Sequence, residues 1–249
     1  MITHLSFSSL ALFLHNPSAW HRKYVLNQRE VSTSPAALVG TAFHSYVEHV
    51  LKGQSPENSL LIARQALLAN TEVDWGKTGS PEKSAAELDK FIEAWTADFK
   101  LNGEVVAVEQ NFTAKLRGIK IPLLGYTDCV LRRSDGLVIV DWKSIRSFET
   151  EPKPAHIIQA FMYKWLVEAI LREPVIRAEI VQVKASKNED GSPRVRVLPI
   201  DFVEREKEGL AVKKLIQQAL KMMTRKTQIF LPNIRDEYEG ETEWKRYAS

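Results

Sequence analysis

The sequence predicts an α/β protein in which a central mixed β-sheet is flanked by helices and carries an N-terminal helical elaboration. Three observations lead to this prediction. Apolar residues recur at helical spacing up to about residue 101, and β-rich runs begin after Gly103. A strongly apolar helical segment then separates the first three strands from two more, with a last helix after them.

Four helical segments account for the first part of the chain. Apolar side chains fall on one helical face in Leu10–Leu14, Pro35–Val50, Ser59–Asn70 and Pro81–Leu101, and loops bearing Gly, Pro or Ser separate the segments. Proline suits the first position of a helix, so Pro35 and Pro81 mark two of the starts. We expect the last two segments, Ser59–Asn70 and Pro81–Leu101, to form a helical insert or lid.

The next part of the chain contains three apolar runs that are typical of strands. Val105–Val108, Ile119–Val130 and Leu137–Val140 predict a three-stranded meander, and Asp135–Gly136 is a hairpin signal between the last two strands. We expect these three strands to form consecutive antiparallel pairs.

The remaining elements complete the sheet. The segment from Pro154 to Ile170 is apolar nearly all round, which predicts a helix buried against the sheet. Val175–Lys184 and Val195–Ile200 predict two more strands, and Phe202–Met223 predicts an amphipathic helix. From Pro232 onward the sequence is polar, and we expect it to be peripheral.

Length and composition limit the class of protein. With 249 residues, 44% hydrophobic and 26% charged, the chain matches an ordinary globular protein. We expect a single domain over 1–249, with a helical part at 1–102, a core at 103–200 and a C-terminal helix and tail at 201–249. The apolar N-terminal run has no preceding Lys or Arg, and no stretch reaches the roughly 20 apolar residues of a membrane span. A cytoplasmic location without membrane contact is therefore expected.

Cysteine and charge exclude further classes. Cys129 is the single cysteine, which excludes an internal disulfide, a multi-cysteine zinc site and a four-thiolate iron–sulfur cluster. Lys and Arg number 34 against 31 Asp and Glu, an excess too small to indicate a polyanionic partner by itself. Any metal must therefore take oxygen or imidazole ligands.

An acidic and a basic residue follow the apolar run Leu137–Val140 at the end of a predicted strand. Because side chains alternate along a strand, Asp141 and Lys143 project to one face and Trp142 to the other. A two-residue turn at Asp135–Gly136 would place Asp128 opposite Lys143, and a four-residue turn would place it opposite Asp141. Either even-length turn keeps all three side chains on one face, whereas an odd-length turn without a bulge would not.

Two carboxylates side by side require compensation. They repel each other across strands, and a divalent cation relieves that repulsion. Oxygen ligands suit Mg²⁺ or Mn²⁺, and a neighbouring Lys can stabilise the negative charge that develops in phosphodiester hydrolysis. The alternative is structural: Asp128 would end a strand near solvent, Asp141 would cap a loop and Lys143 would be a surface charge.

The order of several short motifs resembles a known family. Gly125–Asp128, Val140–Lys143 and Gln159–Tyr163 match the G-x-x-D, D-x-K and Q-x-x-x-Y elements of the RecB-like branch of the PD-(D/E)XK nuclease superfamily. Upstream, Gly40–His44 matches its G-x-x-x-H element, and Ser6–Leu10 with Asn16-Pro17 resembles its opening. The resemblance implies a restriction-endonuclease-like core.

The resemblance also implies roles for individual residues. It gives Lys143 as the catalytic lysine, with Asp128 and Asp141 as its acidic partners. The implied metal ligands are His44, Asp128, Asp141 and the backbone carbonyl of Trp142. Gln159 and Tyr163 would contact nucleic acid or position Lys143, unless they are core residues, and Glu109 would have a supporting role, unless it is a solvated strand end.

The implied activity is metal-dependent hydrolysis of DNA. An Mg²⁺- or Mn²⁺-dependent exonuclease acting on ends or single strands in repair, recombination or phage replication is expected, in the host cytoplasm if phage-encoded, with a helicase or recombination protein as a possible partner. Relatives that hold an iron–sulfur cluster have a cysteine where this chain has Asn16 and three more near the C-terminus. The region from Pro232 to Ser249 has none, so no such cluster is expected.

Two alternatives from other classes stay open at this point. One is a catalytically silent DNA-binding or scaffolding subunit, and the other is a Mg²⁺-dependent phosphohydrolase acting on small phosphates. Candidate contacts to a nucleic-acid backbone are Arg22, Lys23, Lys184, Lys187, Arg194, Arg196, Lys213 and Lys214. Trp20, Tyr24 and Trp75 are candidates for stacking on unpaired bases.

Overall fold

The helices and strands follow the predicted order. The computed structural model describes residues 2–28, 33–69, 73–77, 79–225 and 230, and the predicted peripheral tail from Pro232 lies outside them. The elements are β1 (Leu5–Ser6), α1 (Phe7–His15), α2 (Pro17–Tyr24), α3 (Pro35–Leu51), α4 (Pro56–Ala69), α5 (Pro81–Asp98), β2 (Glu104–Ala114), β3 (Leu123–Arg133), β4 (Gly136–Ile145), α6 (Pro154–Leu171), β5 (Val175–Lys184), β6 (Val195–Asp201) and α7 (Glu206–Met223). Two of the described elements were not predicted, the short strand β1 and the helix α2.

The strands form one mixed sheet. β2 and β4 both pair antiparallel with β3, which confirms the meander, and β6 pairs antiparallel with β5. β4 and β5 are parallel because the chain crosses over through α6 between them. β1 adds a second parallel pair against the start of β3.

The central strand β3 has one edge that two strands share. β2 pairs with β3 from Leu123 to Arg132, so β1 and β4 must both use the opposite edge. There, β1 pairs with Leu123 and Leu124, and β4 pairs with residues 129–133. Residues 125–128 lie between these two pairings, and Asp128 is the last residue before β4 joins the edge.

Helices cover both faces of the sheet. Leu10, Trp20, Met162 and Ile216 belong to the core on one face, together with Ile139 of β4. Helices α3, α4 and α5 pack on the other face around Val138, Val140 and Trp142. The alternation predicted for β4 is thus confirmed, and α6 is buried as its apolar sequence predicted.

Two further features relate to the sequence predictions, the role of Asn16 and the length of the helices. Asn16, which stands where cluster-binding relatives carry cysteine, is buried and its Oδ1 accepts a hydrogen bond from the Ala19 backbone N–H at 3.1 Å. It therefore acts as the N-cap of α2. Among the residues that the structure describes, no helix is long and apolar enough to cross a membrane.

Candidate active site

The β3–β4 hairpin sets the register of the acidic residues. Arg133 pairs with Gly136, which leaves Ser134 and Asp135 as the connecting residues, and the pairing continues to Cys129 opposite Val140. Of the two turns that the sequence left open, the two-residue turn at Asp135–Gly136 is excluded, because Gly136 already belongs to the ladder. The register is the one predicted for the longer turn, and its next position sets Asp128 across from Asp141.

Asp141 is held inside the protein by two side chains. It is only 4% exposed, and its Oδ2 lies 2.8 Å from the Lys143 ammonium. Its Oδ1 accepts a hydrogen bond from Gln159 Nε2 at 2.9 Å. Asp141 is thus a buried strand residue rather than a loop cap, and Lys143 is paired rather than a free surface charge, so the structural alternative does not hold.

His44 reaches the strands from the third helix. Its Nε2 lies 2.9 Å from the carbonyl oxygen of Trp142, and its Nδ1 lies 3.4 Å from Asp128 Oδ2 and 3.8 Å from Glu109 Oε1. A carbonyl only accepts hydrogen bonds, so we assign the proton to Nε2. In the neutral imidazole this leaves the Nδ1 lone pair facing the carboxylates, which is the arrangement that a bound cation requires.

Glu109 lies in the middle of β2 rather than at a strand end, and its backbone is unusual. Its φ of 47° is left-handed, a conformation that costs a residue with a side chain about 1–2 kcal/mol. The neighbouring pairs, Val108 with Cys129 and Gln110 with Thr127, place Glu109 across from Asp128. The strain therefore coincides with the point where Glu109 joins the acidic cluster.

Three donor atoms meet at this point. One ligand atom each from His44, Glu109 and Asp128 lie within 4.8 Å of one another, beside a cavity of about 410 Å³. Two carboxylates and an imidazole fit a divalent cation such as Mn²⁺ or Mg²⁺. Asp141 instead pairs with Lys143 and Gln159, and the Trp142 carbonyl faces His44, so the predicted role of both as metal ligands stays a prediction. The sequence predicted a supporting role for Glu109, and the structure places its carboxylate in this donor cluster.

The electrostatics of the cluster favour bound cations or protons. Burial and the Asp141 charge raise the pKa of Asp128 to about 7. For His44, burial lowers the pKa, but Asp128 and Glu109 outweigh it and the net pKa is raised. Burial also opposes the charge of Lys143, yet Asp141 and Asp128 raise its pKa overall, so the lysine is an ammonium at neutral pH.

Helix α6 supports the Asp141–Lys143 pair from one side. Gln159 Nε2 also lies 3.2 Å from the Tyr163 hydroxyl, so one amide connects Tyr163 to Asp141. Burial raises the pKa of Tyr163. A Cβ atom on Gly125 would lie 2.7 Å from Tyr163 Cε1, which explains physically why the G-x-x-D element begins with glycine. Gly125 is thus a site residue whose role the motif indicated but did not explain.

Two of the predicted nucleic-acid contacts are internal. Trp20 is fully buried and its indole N–H donates to Ser9 Oγ at 2.9 Å. Arg194 is also buried, and its guanidinium lies 3.1 Å from Glu93. Neither residue is exposed to stack on a base or to neutralise a phosphate.

Comparisons with known proteins bear on the family and the fold of this chain. The family model described as the PD-(D/E)XK nuclease superfamily matches residues 4–233. A solved structure of a protein described as a "putative exonuclease" from Eubacterium rectale is similar with a TM-score of 0.64 at 16% identity, covering 91% of this chain and 83% of that one. At that identity the similarity establishes the fold. An alkaline exonuclease from Laribacter hongkongensis matches at 12% identity and a TM-score of 0.34, covering 89% of this chain and 96% of that one. No curated protein matches the chain.

Proposed function

The chain belongs to the PD-(D/E)XK nuclease superfamily, and from this membership we propose that it is a metal-dependent deoxyribonuclease of the RecB-like branch. One observation carries the proposal: a cluster of metal-ligating atoms on His44, Glu109 and Asp128 adjoins the ion pair between Lys143 and the buried Asp141. Hydrolysis of a phosphodiester needs charge stabilisation on the phosphoryl oxygens and an oriented water, and these two groups of residues can provide both.

The donor cluster supports a divalent cation as cofactor. His44, Glu109 and Asp128 would hold the ion, and Mn²⁺ or Mg²⁺ matches their oxygen and imidazole donors. When bound, such an ion supplies Lewis-acid stabilisation to phosphate oxygens and makes water a better nucleophile. The raised pKa values of Asp128 and His44 support this assignment, since a cation would replace the protons that the cluster otherwise retains.

Lys143 has the properties of an electrostatic catalyst. Its ammonium is fixed at 2.8 Å by Asp141, and its pKa is raised, so it is protonated at neutral pH and cannot act there as a general base. It can instead donate a hydrogen bond to a phosphate oxygen or to the attacking water as negative charge develops. Asp141 positions Lys143, and Gln159 holds Asp141 from α6.

We extend the proposal to an exonuclease that acts on DNA ends or single strands. The exonuclease description of the similar Eubacterium rectale protein is in line with this extension. Repair, recombination or phage replication would supply such substrates. A helicase or recombination partner, and a cytoplasmic location, stay predictions from the sequence.

The test compares cleavage of linear and covalently closed DNA by the full chain. End-labelled single- and double-stranded DNA and single-stranded circles are incubated with Mn²⁺, Mg²⁺ or EDTA. We expect metal-dependent loss of linear substrate and survival of the circles. Lys143→Ala should reduce the rate by about 100-fold or more, whereas Lys52→Ala, an exposed lysine paired with Glu48, should not change it.

Three results would contradict the proposal. They are cleavage in EDTA, cleavage that Lys143→Ala leaves unchanged, and DNA binding by the wild-type protein without any cleavage. The last result would support the catalytically silent alternative. Rapid cutting of the circles would retain the nuclease and overturn only the end-directed part.

A further inference from the structure

The sheet face that carries Asp141 and Lys143 continues across two more strands. The register of β4 and β5 places Lys143 beside Gln182, and the register of β5 and β6 places Gln182 beside Arg196. Paired residues project from the same face, and adjacent strands lie about 4.8 Å apart. The backbone of Arg196 is therefore about 10 Å from that of Lys143 along one row of side chains.

The ring of Phe148 contacts two cations at the end of this row. The Arg196 guanidinium carbon lies 4.7 Å from the centroid of the Phe148 ring, and Lys184 Nζ lies 5.6 Å from the same centroid. Such cation–π contacts hold a charged group in place without neutralising it. Within the part of the chain that the structure describes, neither cation forms an ion pair with a carboxylate.

These side chains line a cavity of about 820 Å³, which we name the basic cavity after its members Phe148, Lys184, Lys187 and Arg196. Two carboxylates, Glu189 and Asp190, also line it. Hydrogen bonds from the side chain and the backbone N–H of Ser192, and the charge of Lys184, lower the pKa of Asp190. Three cations against two carboxylates leave the cavity positive.

The wall of the basic cavity is anchored to the rest of the fold. Just before β6, the backbone N–H of Arg194 donates to Asp98 of α5 at 2.7 Å, and the Arg194 guanidinium lies 3.1 Å from Glu93. Arg196 is therefore presented by a fixed strand. In the same row, Gln182 is fully buried and its Oε1 accepts from the Glu149 N–H, while its Nε2 has no acceptor among the described residues.

We propose that the basic cavity binds the backbone of a single DNA strand on one side of the scissile phosphate. Arg196, Lys184 and Lys187 neutralise phosphates, and Phe148 keeps the first two cations aligned. Two features carry the proposal: the row of paired residues that sets Arg196 about 10 Å from Lys143, and an excess of cations in the cavity, of which Arg196 and Lys184 form no ion pair with a carboxylate of the described residues. Contacts of this kind are independent of base sequence. The proposal rests on the proposed function, because it assigns a part of the same substrate.

The first test measures binding of a fluorescent single-stranded oligonucleotide to the full chain by anisotropy in EDTA. Lys187→Ala/Arg196→Ala should weaken binding about tenfold or more, and should reduce the slope of log affinity against log salt by about 1 to 1.5. The matched control is Arg117→Ala/Lys207→Ala, which removes one arginine and one lysine that are also exposed. Arg196→Lys should retain most of the affinity, and it serves as the test variant if the alanine pair folds poorly.

The second test locates the contact along the strand. Oligonucleotides with one neutral methylphosphonate at successive positions are bound to wild type and to the Lys187/Arg196 pair variant. We expect a several-fold loss for wild type at one or two positions beside the scissile phosphate, and no further loss at those positions for the variant. Equal losses for both proteins at every position would overturn the assignment.

The outcomes separate the two proposals. If the wild-type protein cleaves DNA but the test pair binds DNA no more weakly than the control pair, only the assignment of the basic cavity is overturned. This includes equal weakening by both pairs, because general electrostatic attraction would then explain the binding. A wild-type protein that neither binds nor cleaves DNA would contradict the proposed function itself.

Discussion

The carboxylate of Asp128 accepts a hydrogen bond from the backbone N–H of Trp142 at 2.8 Å, where the pairing of β3 and β4 ends. The Asp128 side chain thus takes the place of the backbone carbonyl that would accept from this N–H if the pairing continued, and it satisfies a donor inside the sheet. The same oxygen lies 3.4 Å from His44 Nδ1. One hydrogen bond therefore joins the end of the hairpin to the proposed metal site, and it fixes Asp128 whether or not the carboxyl is charged.

Asp128→Asn separates this hydrogen bond from the charge. In the metal-free fold the pKa of Asp128 is raised from 3.8 to about 7. Between those pH values the folded state binds more protons than the unfolded state, so the stability from this group falls as pH rises and is lost above about 7. An amide can keep the Trp142 bond without that loss. We expect Asp128→Asn without metal to be about 1–3 kcal/mol more stable than wild type at pH 8, and the gain to shrink towards pH 5.

The same variant should lose its response to metal. Wild type should gain thermal stability on addition of Mn²⁺, and less on addition of Mg²⁺, because an imidazole ligand favours the transition metal. Asp128→Asn should show little gain with either ion. Denaturant unfolding at several pH values and thermal melts with added metal measure both effects. A variant that is less stable than wild type at pH 8, or that keeps the full Mn²⁺ response, would refute this reading.

The sequence predicted the fold and the chemistry at the strand end for specific physical reasons. The period of β4 is two, so Asp141 and Lys143 were assigned to one face and Trp142 to the other without knowledge of any contact. The strand β1 has only two residues, too few to show a period. The register of Asp128 depended on whether Gly136 lies in the turn or in the ladder, and both are compatible with an Asp-Gly pair.

Glu109 shows what sequence patterns leave out. A lone acidic residue in a β-rich run carries no local signal for left-handed backbone, so neither its φ of 47° nor its position across from Asp128 was predictable. Both follow from how β2 is paired with β3. The basic cavity could not be predicted either. Among many candidate contacts to nucleic acid, only the pairing of β4, β5 and β6 selects Lys184, Lys187 and Arg196.

The backbone strain at Glu109 predicts an unusual order of stability. Glycine adopts left-handed φ without steric cost, so Glu109→Gly should be about 1 kcal/mol more stable than Glu109→Ala. Both variants should lose Mn²⁺ affinity, because each removes one donor of the proposed site. The matched control is Gln110, an exposed neighbour in β2 without positive φ, where Gly should instead be less stable than Ala by about 0.5–1 kcal/mol. Chemical denaturation ranks the four variants, and the same order at both positions would show that Glu109 is not strained.

The close approach of Gly125 and Tyr163 predicts that a single methyl group is harmful there. A Cβ at Gly125 would lie 2.7 and 2.9 Å from two ring atoms of Tyr163 and 3.0 Å from Leu166 Cδ1. Gly125→Ala should therefore cost about 1–3 kcal/mol of stability and displace the tyrosine that contacts Gln159. Gly40→Ala is the control, since its Cβ would meet only the Ser144 hydroxyl at 3.3 Å. Adding Tyr163→Ala to Gly125→Ala should cost less than the sum of the single losses, and strict additivity would argue against the contact.

Gln159 allows the two roles predicted for it to be distinguished. Its Nε2 donates to Asp141 Oδ1 at 2.9 Å and lies 3.2 Å from the Tyr163 hydroxyl, so its contacts in the protein are those of a positioning residue. Without this amide, Asp141 and its lysine can move, and a displacement of about 1 Å can cost up to 100-fold in rate. We expect Gln159→Ala to lower kcat by about 10- to 100-fold with little change in KM for DNA, and Tyr163→Phe to have a smaller effect. Steady-state cleavage kinetics with Mn²⁺ measure both constants. A raised KM with unchanged kcat would instead show that Gln159 contacts the nucleic acid directly.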